Sequence, residues 1–266
     1  MTVHRERRGK VEILRLDRPE ARNAIDPDTS RAIEAALDEI EADPGVWCVV
    51  ITGTGPVFCA GADLKVIAAG QGGDIITARG GFAGITEREL RVPLIAAVNG
   101  AALAGGFEIV LACDLVVAAD TAVFGLPEVQ RGLLAAAGGP IRLAQRVPLA
   151  VALELSVLGD PVPADRAAAL GLVNRVVPAE RVLDEALGLA GRIVANSPAA
   201  VRGARALVLG AADTDRAGAW ALNRQVMGEV MASPDGLEGA RAFVEKRDPV
   251  WADPGAPRVN PGSEHS

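Results

Sequence analysis

Two continuous apolar runs constrain the fold more than any other feature of the sequence. They are VWCVVIT at residues 46–52 and PLIAAVNG at residues 93–100. A strand that is apolar at nearly every position is covered on both faces, as in parallel sheets flanked by helices. The two runs therefore predict buried strands of an α/β body.

The first half of the chain alternates strand and helix patterns. VEILRLD at residues 11–17 alternates apolar and polar residues, which is typical of a half-buried strand. Asp26 followed by Pro27 predicts the start of a helix that continues to about Glu41. A second helix is predicted over residues 84–91.

The second half is mostly helical from about residue 139 onward, with helical patterns that reach residue 233. An α/β body followed by helices predicts a core at residues 1–195 and a helical region at residues 196–253. Residues 254–266 are rich in Pro, Gly and Ser, and we expect a disordered tail.

Charge and composition exclude several classes of protein. The 266 residues carry a formal net charge of −7, so no excess of basic charge is available for nucleic acid or an anionic membrane. The odd number of cysteines without a C-x-x-C pair argues against a disulfide framework. No apolar signal segment or membrane-spanning run is present, and we expect a cytoplasmic protein. The two histidines, His4 and His265, lie near the ends, which argues against a histidine-based triad or metal site.

The glycines do not fit a dinucleotide or phosphate loop. GTGPVF at residues 53–58 lacks the third glycine of a Rossmann fingerprint, and no G-x-x-x-x-G-K-[ST] occurs. CAGAD at residues 59–63 and AGGFE at residues 104–108 each follow a buried strand. Two backbone N–H groups that converge there would form an oxyanion hole. The alternative is that these glycines only allow tight turns and closely packed helix starts.

Two glutamates lie near these loops. Glu108 stands in apolar surroundings, where a carboxylate needs a partner, and Glu128 is the predicted partner. Glu108 could also simply be a carboxylate favourably placed at a helix N-terminus, and Glu128 could be a surface loop residue. Two carboxyl groups beside one reacting centre can serve as general base and general acid if their surroundings separate their pKa values.

Taken together, these segments give the sequence a clear family resemblance. The chain resembles the crotonase superfamily, the enoyl-CoA hydratase/isomerase family, over about residues 8 to 250. The matching segments occur in family order: LDRPEARNAI (16–25), GPVFCAGADLK (55–65), PLIAAVNGAALAGGFEIVLACDLVVAADTAVFGLPE (93–128), AAGGPIRL (136–143), AAALGLVNRVVP (167–178) and ARAFVEKR (240–247). The resemblance implies a crotonase-type spiral of β-β-α turns with a C-terminal α-helical trimerisation region. It also implies a homotrimer or a dimer of trimers.

The resemblance also assigns catalytic roles to individual residues. It implies that the N–H groups of Ala62 and Gly105 polarise the thioester carbonyl of an acyl-coenzyme A. Glu108 is then the base for the attacking water, and Glu128 is the proton donor to the α-carbon. Gly106 is expected to leave room for the acyl group.

Further residues are implied to bind coenzyme A. Five of them lie near the two loops, namely Ala21, Arg22, Ala60, Asp63 and Leu64. Phe243 and Lys246 are expected to reach the nucleotide from the same or a neighbouring subunit.

The implied reaction is syn addition of water across the 2-trans double bond of an enoyl-CoA thioester, which gives a 3-hydroxyacyl-CoA. It needs no metal and no cofactor, because coenzyme A is part of the substrate. The alternatives are a double-bond isomerase, a thioester hydrolase and, outside catalysis, an RNA-binding family member, which the acidic charge disfavours. The segment RGLLAAAGG at residues 131–139 has Leu and Ala where many hydratases have Pro-Gly. The length, branching and ring character of the acyl group therefore stay open.

Overall fold

The computed structural model describes residues 2–252, which contain β-strands in three sheets. The strand bounds are β1 Val3–Arg8, β2 Val11–Leu16, β3 Cys48–Gly53, β4 Val57–Cys59, β5 Ile76–Thr77, β6 Gly81–Phe82, β7 Leu94–Val98, β8 Ala101–Leu103, β9 Leu115–Ala119, β10 Val123–Gly125, β11 Val162–Pro163 and β12 Arg175–Val177.

The helices of the described residues connect and cover these strands. Their bounds are α1 Pro27–Ala42, α2 Leu64–Ala68, α3 Gly105–Ala112, α4 Gly139–Arg146, α5 Leu149–Leu158, α6 Ala164–Ala169, α7 Val182–Val194, α8 Pro198–Gly210, α9 Arg216–Ala232 and α10 Glu238–Glu245. Short 3₁₀ helices occupy Pro19–Ala21, Gly72–Ile75, Pro127–Arg131, Ala179–Arg181 and Ala211–Asp213.

The larger sheet has six strands in the order β1-β2-β3-β7-β9-β12. The hairpin of β1 and β2 is antiparallel, and every other pair in this sheet is parallel. Its central strands β3 and β7 are buried at every position, which confirms the prediction from the two apolar runs. Helix α7 packs across β2, β3, β7 and β9 and covers one face of the sheet.

The smaller sheet has four strands in the order β11-β10-β8-β4. Its strands β4, β8 and β10 follow directly after β3, β7 and β9, and they are parallel to one another. The chain thus repeats one unit, a strand in the larger sheet, then a strand in the smaller sheet, then a helical segment. Because the units stack in the same order in both sheets, they form a spiral.

Local sequence signals explain where the first helix begins. Asp26 is the N-cap of α1, its side chain accepts a hydrogen bond from the N–H of Thr29 at 2.8 Å, and Pro27 is the first helical residue. The helix predicted from Asp26 and Pro27 is therefore confirmed. The buried side chains of α1 include Ile33, Leu37 and Ile40, one apolar face of the helix.

The prediction of a helix over residues 84–91 is wrong. Positive φ angles at Gly81, Ala83 and Gly84 turn the backbone here, and a helix cannot accommodate them. Gly84 lies so close to α1 that a Cβ built on it would be 2.8 Å from the Cβ of Glu34. The segment therefore forms turns that pack against α1.

Strand β1 was not predicted, because all its residues after Val3 are exposed. Its backbone pairs with β2 along its whole length, and its side chains add ion pairs, since Arg5 bonds Glu12 at 2.9 Å and Arg7 bonds Asp43 at 3.1 Å. His4 in this strand lies 2.6 Å from Asp17.

Helices α8 and α9 pack against each other after the end of the sheets. Helix α8 begins at Pro198, close to the predicted boundary at residue 196, and the division into core and helical region stays a prediction. The predicted disordered tail at residues 254–266 lies outside the described residues. Within residues 2–252, no helix is both long and apolar enough to cross a membrane.

Candidate active site

The topology brings three predicted site segments to one edge of the smaller sheet. Ala62 follows β4, Gly105 follows β8 and Glu128 follows β10. These strands are parallel neighbours with β8 in the middle, so their carboxyl ends meet at the same edge. This edge is where ligands bind in many parallel sheets.

The loop around Ala62 leaves one N–H group directed away from the neighbouring backbone. Ile25 and Ala62 form an isolated parallel bridge, in which Ile25 donates to the carbonyl of Gly61 and Asp63 donates to the carbonyl of Ile25. The Gly61 N–H donates to the Cys59 sulfur at 3.4 Å. Among the turn and loop hydrogen bonds of residues 2–252, none uses the N–H of Ala62.

The second N–H group belongs to Gly105, the first residue of α3. The residue before it, Ala104, has φ 53° and ψ −132°, an unusual conformation for a residue with a side chain. The N–H of Ala104 donates to the carbonyl of Gly125 on β10, and its carbonyl accepts from Phe107 and Glu108. This anchored turn leaves the Gly105 N–H without an acceptor inside the helix, as is usual for a first helical residue.

The two N–H groups lie on backbones that touch each other. A Cβ built on Gly61 would lie 2.9 Å from the nitrogen of Gly105 and 2.7 Å from the Cβ of Ala104. Gly61 also has φ +90°, which favours glycine. The residues beside the two donors therefore pack directly against one another, as an oxyanion hole requires.

Glu108 is buried, with 3% of its surface exposed. Its Oε1 accepts hydrogen bonds from the N–H groups of Ala137 at 2.8 Å and Gly139 at 2.9 Å. Burial raises the pKa of Glu108, and these two hydrogen bonds and the positive charge of Arg142 oppose that increase. The expectation that Glu128 is the partner that holds Glu108 is wrong, because two backbone N–H groups hold the Glu108 carboxylate and its charge raises the pKa of Glu128.

Glu128 lies in the first turn of the 3₁₀ helix Pro127–Arg131. Its Oε2 is buried and has no hydrogen-bond partner in the described residues. Burial, together with the nearby charge of Glu108, raises the pKa of Glu128 to about 7. A carboxyl group in this position holds a proton near neutral pH, so it can donate one.

The two glutamates therefore differ in the property that acid–base chemistry needs. The carboxylate of Glu108 is held by two N–H donors, whereas Glu128 has an unpaired buried oxygen and a pKa of about 7. A pair with such different surroundings can supply a base and an acid to one reacting centre.

The structure gives Gly106 a role in packing. A Cβ built on Gly106 would lie 2.1 Å from the carbonyl oxygen of Cys59, so the missing side chain lets α3 approach β4. This contact does not test the expectation that Gly106 leaves room for the acyl group, which stays a prediction. The side of Gly105 is covered by Phe82, whose ring atoms would lie 2.5 Å from a Cβ built there.

The predicted coenzyme A residues near the loops form one continuous stretch of surface. The N–H of Ala60 donates to the carbonyl of Arg22 at 3.1 Å, and the bridge of Ile25 with Ala62 extends this contact. Ala21 ends the 3₁₀ helix Pro19–Ala21, beside Arg22.

Two further coenzyme A candidates lie at the start of α2. Leu64 is 55% exposed and available to a ligand. The side chain of Asp63 is already engaged, because it accepts from the N–H of Lys65 at 3.0 Å and pairs with Arg18 at 3.2 Å. The backbone of Asp63 is engaged as well, because its N–H donates to the carbonyl of Ile25 at 2.9 Å and its carbonyl accepts from Val66 at 3.0 Å. Its contact with coenzyme A stays a prediction.

Phe243 lies on α10, and Lys246 follows the last residue of this helix. The hydrogen bonds that anchor the chain after α10 run from Trp251 to Ala195 and from Ala252 to Asp235, and none of those in the described residues reaches the site. Phe243 is 86% exposed. Lys246 is exposed too, and a contact of these two residues with coenzyme A in the same or a neighbouring subunit stays a prediction.

The sequence does not reveal the N–H groups that hold Glu108, or the ring that covers Gly105. Ala137 and Gly139 act through backbone N–H groups, which leave no signature in residue type. The Gly138-Gly139-Pro140 start of α4 marks a helix N-terminus with free donors, and this was the available signal. Phe82 gives no signal, because its contact with Gly105 arises only in the fold.

Comparison with known proteins identifies the family of this chain. The family model for enoyl-CoA hydratase/isomerase matches residues 6–254. The chain belongs to the enoyl-CoA hydratase/isomerase family. The crystal structure of an enoyl-CoA hydratase from Mycobacterium tuberculosis H37Rv matches with a TM-score of 0.90 and 42% identity, over 94% of this chain and 98% of that one. The expected crotonase fold is thus confirmed.

Relatives in this family carry two kinds of name. A carnitinyl-CoA dehydratase from Proteus mirabilis is 40% identical over 256 residues, which is 94% of this chain and 98% of the relative. The crystal structure of a carnitinyl-CoA hydratase from Mycobacterium avium matches with a TM-score of 0.74 and 44% identity, over 94% of this chain and 98% of that one. A crotonase-type reaction on a coenzyme A thioester is therefore supported, and the names leave the acyl group open.

Proposed function

We propose that this protein is a 2-trans-enoyl-CoA hydratase, which adds water to give a 3-hydroxyacyl-CoA. The observation that carries the proposal is the pair of unlike glutamates beside two free backbone N–H groups. Glu108 is held by Ala137 and Gly139, and Glu128 keeps an unpaired buried oxygen.

The proposed mechanism begins at the thioester carbonyl. The N–H groups of Ala62 and Gly105 donate to its oxygen and stabilise the negative charge that develops there when the β-carbon is attacked. Loss of one such donor costs about 3 kcal/mol of transition-state stabilisation. Because these donors are part of the folded backbone, they need no reorganisation during the reaction.

The two glutamates then divide the proton transfers. Glu108 accepts a proton from the water that attacks the β-carbon, and Glu128 donates its proton to the α-carbon. The pKa of about 7 keeps Glu128 protonated in part of the population at neutral pH. Since both groups belong to one cluster, the hydroxyl and the proton arrive on the same face, which is syn addition.

Substrate binding and assembly are part of the same proposal. Coenzyme A lies along Ala21, Arg22 and the backbone of residues 60–64, and it supplies no separate cofactor chemistry. Phe243 and Lys246 reach the nucleotide of a neighbouring subunit in a homotrimer or a dimer of trimers. The support for this contact is the outward position of Phe243. A cytoplasmic location stays a prediction.

A second candidate is the dehydration of carnitinyl-CoA, which the names of the relatives favour. Its substrate carries a trimethylammonium group, and proteins commonly bind such groups in cages of aromatic rings. The sequence has no Tyr and 3% aromatic residues, and Phe82 is the ring that packs on Gly105. This composition favours an uncharged acyl group.

The decisive test is a turnover panel, read by the absorbance of the conjugated thioester. Crotonyl-CoA, longer, branched and ring-bearing enoyl-CoAs and crotonobetainyl-CoA are compared by kcat/KM. Glu108→Gln and Glu128→Gln should each lower kcat by about 10²–10⁴-fold. If neither variant loses activity, the assignment of roles is wrong.

Product analysis separates the remaining reactions of the family. A hydratase gives a 3-hydroxyacyl-CoA, an isomerase moves the double bond, and a thioester hydrolase releases free coenzyme A. Detection of the free thiol of coenzyme A instead of a hydroxyacyl product would show that the protein is a thioester hydrolase and not a hydratase. A titration with single-stranded RNA at physiological salt tests the non-catalytic alternative, and we expect no binding.

A further inference from the structure

Arg142 makes two contacts that no sequence pattern predicts. It lies on α4, and its Nη1 donates to the carbonyl of Ala137 at 3.2 Å. Its Nη2 donates to the carbonyl of Thr86. A Cβ built on Gly138 would lie 2.2 Å from Nη1, so the guanidinium lies directly against the backbone of this residue. One side chain thus covers the loop of residues 137–139.

This loop is the one that holds Glu108. The N–H groups of Ala137 and Gly139 both donate to Oε1 of Glu108, at 2.8 and 2.9 Å. The carbonyl of Ala137 faces the other way and is fixed by Arg142. The arginine therefore fixes the peptide that lies between the two donating peptides, without donating to the glutamate itself.

The second contact leads to the other half of the site. Thr86 donates from its backbone N–H and its hydroxyl to the carbonyl of Phe82, both at 3.3 Å. The ring of Phe82 packs on Gly105. Arg142 is consequently a single link between the loop that holds Glu108 and the segment that covers the predicted oxyanion hole.

We propose that Arg142 is a positioning residue, which keeps the Glu108 carboxylate in place by tying the loop of residues 137–139 to Thr86. The inference rests on the proposed function, because it concerns the base of the hydration step. Arg142 acts through the loop and through its charge, and it does not contact the reacting atoms.

The charged groups around Glu108 determine the direction in which removal of Arg142 shifts the pKa of Glu108. The other titratable or charged groups around this cluster are Glu87, Cys113, Glu128, Arg131 and Arg146. The positive charge of Arg142 lowers the pKa of Glu108 against the effect of burial. Its removal raises that pKa, because a nearby cation favours the ionised carboxylate.

The test compares Arg142→Met with Arg142→Lys. Arg142→Met should lower kcat for the best enoyl-CoA by about tenfold or more, with KM changed less than about threefold, because base alignment and not binding is lost. The acid limb of the kcat/KM profile should move to higher pH. Arg142→Lys keeps the charge, so its acid limb should stay near that of the wild type.

Arg146→Met is the matched control. Arg146 lies one turn further along α4 and also donates to a backbone carbonyl, that of Cys113, at 3.2 Å. Arg146→Met should lower the melting temperature by about as much as Arg142→Met does, and it should leave the pH profile of kcat/KM unchanged. Equal pH profiles for Arg142→Met and the wild type, or equal shifts in both Met variants, would overturn the proposal.

A readout without turnover separates this inference from the proposed function. Amide hydrogen exchange, measured by NMR, reports the N–H groups of Ala137 and Gly139 whether or not enoyl-CoAs react. Their exchange should accelerate in Arg142→Met and not in Arg146→Met. Unchanged exchange contradicts the positioning role, whereas absent turnover in the wild type with accelerated exchange in Arg142→Met contradicts only the hydratase proposal.

Discussion

Glu108 and Glu128, the proposed base and acid, differ in the backbone groups that surround their carboxyl oxygens. Oε1 of Glu108 accepts two N–H donors from the loop before α4. Oε2 of Glu128 is buried without a partner, and its pKa is raised to about 7. The proposed roles of acid and base therefore follow from where neighbouring peptides point, and not from the residue types themselves.

The raised pKa of Glu128 predicts a pH-dependent stability. Between its ordinary pKa of 4.5 and about 7, the folded protein binds the proton more tightly than the unfolded chain does. Stability therefore falls as pH rises through this window. Glu128→Gln removes this ionisation, so its melting temperature should exceed that of the wild type at pH 7 and approach it at pH 4.5. Calorimetry at both pH values checks this, and a constant difference would contradict the origin in Glu128.

The positive φ of Ala104 predicts that a glycine at this position raises the stability of the protein and lowers its activity. The positive φ costs about 1–3 kcal/mol, and glycine would relieve this strain while adding about 0.4–1 kcal/mol of unfolded-state entropy. Ala104→Gly should thus stabilise the protein by about 1 kcal/mol. It also removes the methyl group that packs on Gly61, beside the two proposed N–H donors. We expect kcat to fall by about tenfold, less than for a donor lost completely.

The control for Ala104→Gly is Ala83→Gly. Ala83 is buried and also has a positive φ of 56°, so glycine relieves backbone strain there as well. This variant should gain similar stability in a denaturant titration and keep the kcat of the wild type. If both variants keep full activity, the methyl group of Ala104 has no part in the oxyanion hole.

At the level of elements, the approach of α3 to β4 depends on Gly106. The Cβ of an alanine there would lie 2.1 Å from the carbonyl oxygen of Cys59, and a backbone atom cannot move aside as a flexible side chain can. Gly106→Ala should destabilise the protein by about 1–3 kcal/mol or more.

Gly188→Ala is the matched substitution, measured in the same denaturant titration. Gly188 lies inside α7 with no atom within 4 Å of a built Cβ. Alanine should be favourable there by about 0.5–1 kcal/mol. Equal effects of the two substitutions would show that the close contact of α3 with β4 is not a constraint.

The elements that could be predicted carry their signal within their own sequence. The apolar runs of β3 and β7 and the Asp26-Pro27 start of α1 are local, and all three are present. Strand β1 has no such signal, since it is fixed by its pairing with β2 and by ion pairs. The failed helix over residues 84–91 was overridden by turns at Gly81 and Gly84, which pack closely against neighbouring side chains.

The same reasoning explains which site residues could be predicted. Glu108, Glu128 and the glycine turns stand out because a carboxylate or a glycine pair is unusual in apolar surroundings. Ala137 and Gly139 lie 29 and 31 positions from Glu108 and contribute only peptide N–H groups. Such contacts are decided by tertiary packing, so one sequence without its fold cannot reveal them.

At the level of the whole molecule, the surface of α9 carries a stripe of exposed apolar side chains. Trp220, Met227 and Met231 are exposed and spaced at i, i+7 and i+11, which places them on one side of the helix. Phe243 and Val244 on α10 are also exposed. Contiguous exposed apolar side chains commonly mark an interface between proteins. This surface supports the proposed assembly of copies through the C-terminal helices.

The assembly is tested by one charge on the stripe and one on the opposite side of α9. Met227→Glu places a carboxylate among apolar side chains, where an unpaired charge is costly. Glu229→Lys changes the charge on the opposite side, since residue 229 lies nine positions from Trp220.

In light scattering after size exclusion, the wild type and Glu229→Lys should have three or six times the mass of the chain, and Met227→Glu should dissociate toward one copy. Because Phe243 and Lys246 are proposed to complete a neighbouring site, the dissociated variant should also show a raised KM for the coenzyme A thioester. A monomeric wild type, or a trimer that keeps its mass with Met227→Glu, would show that this stripe does not join the copies.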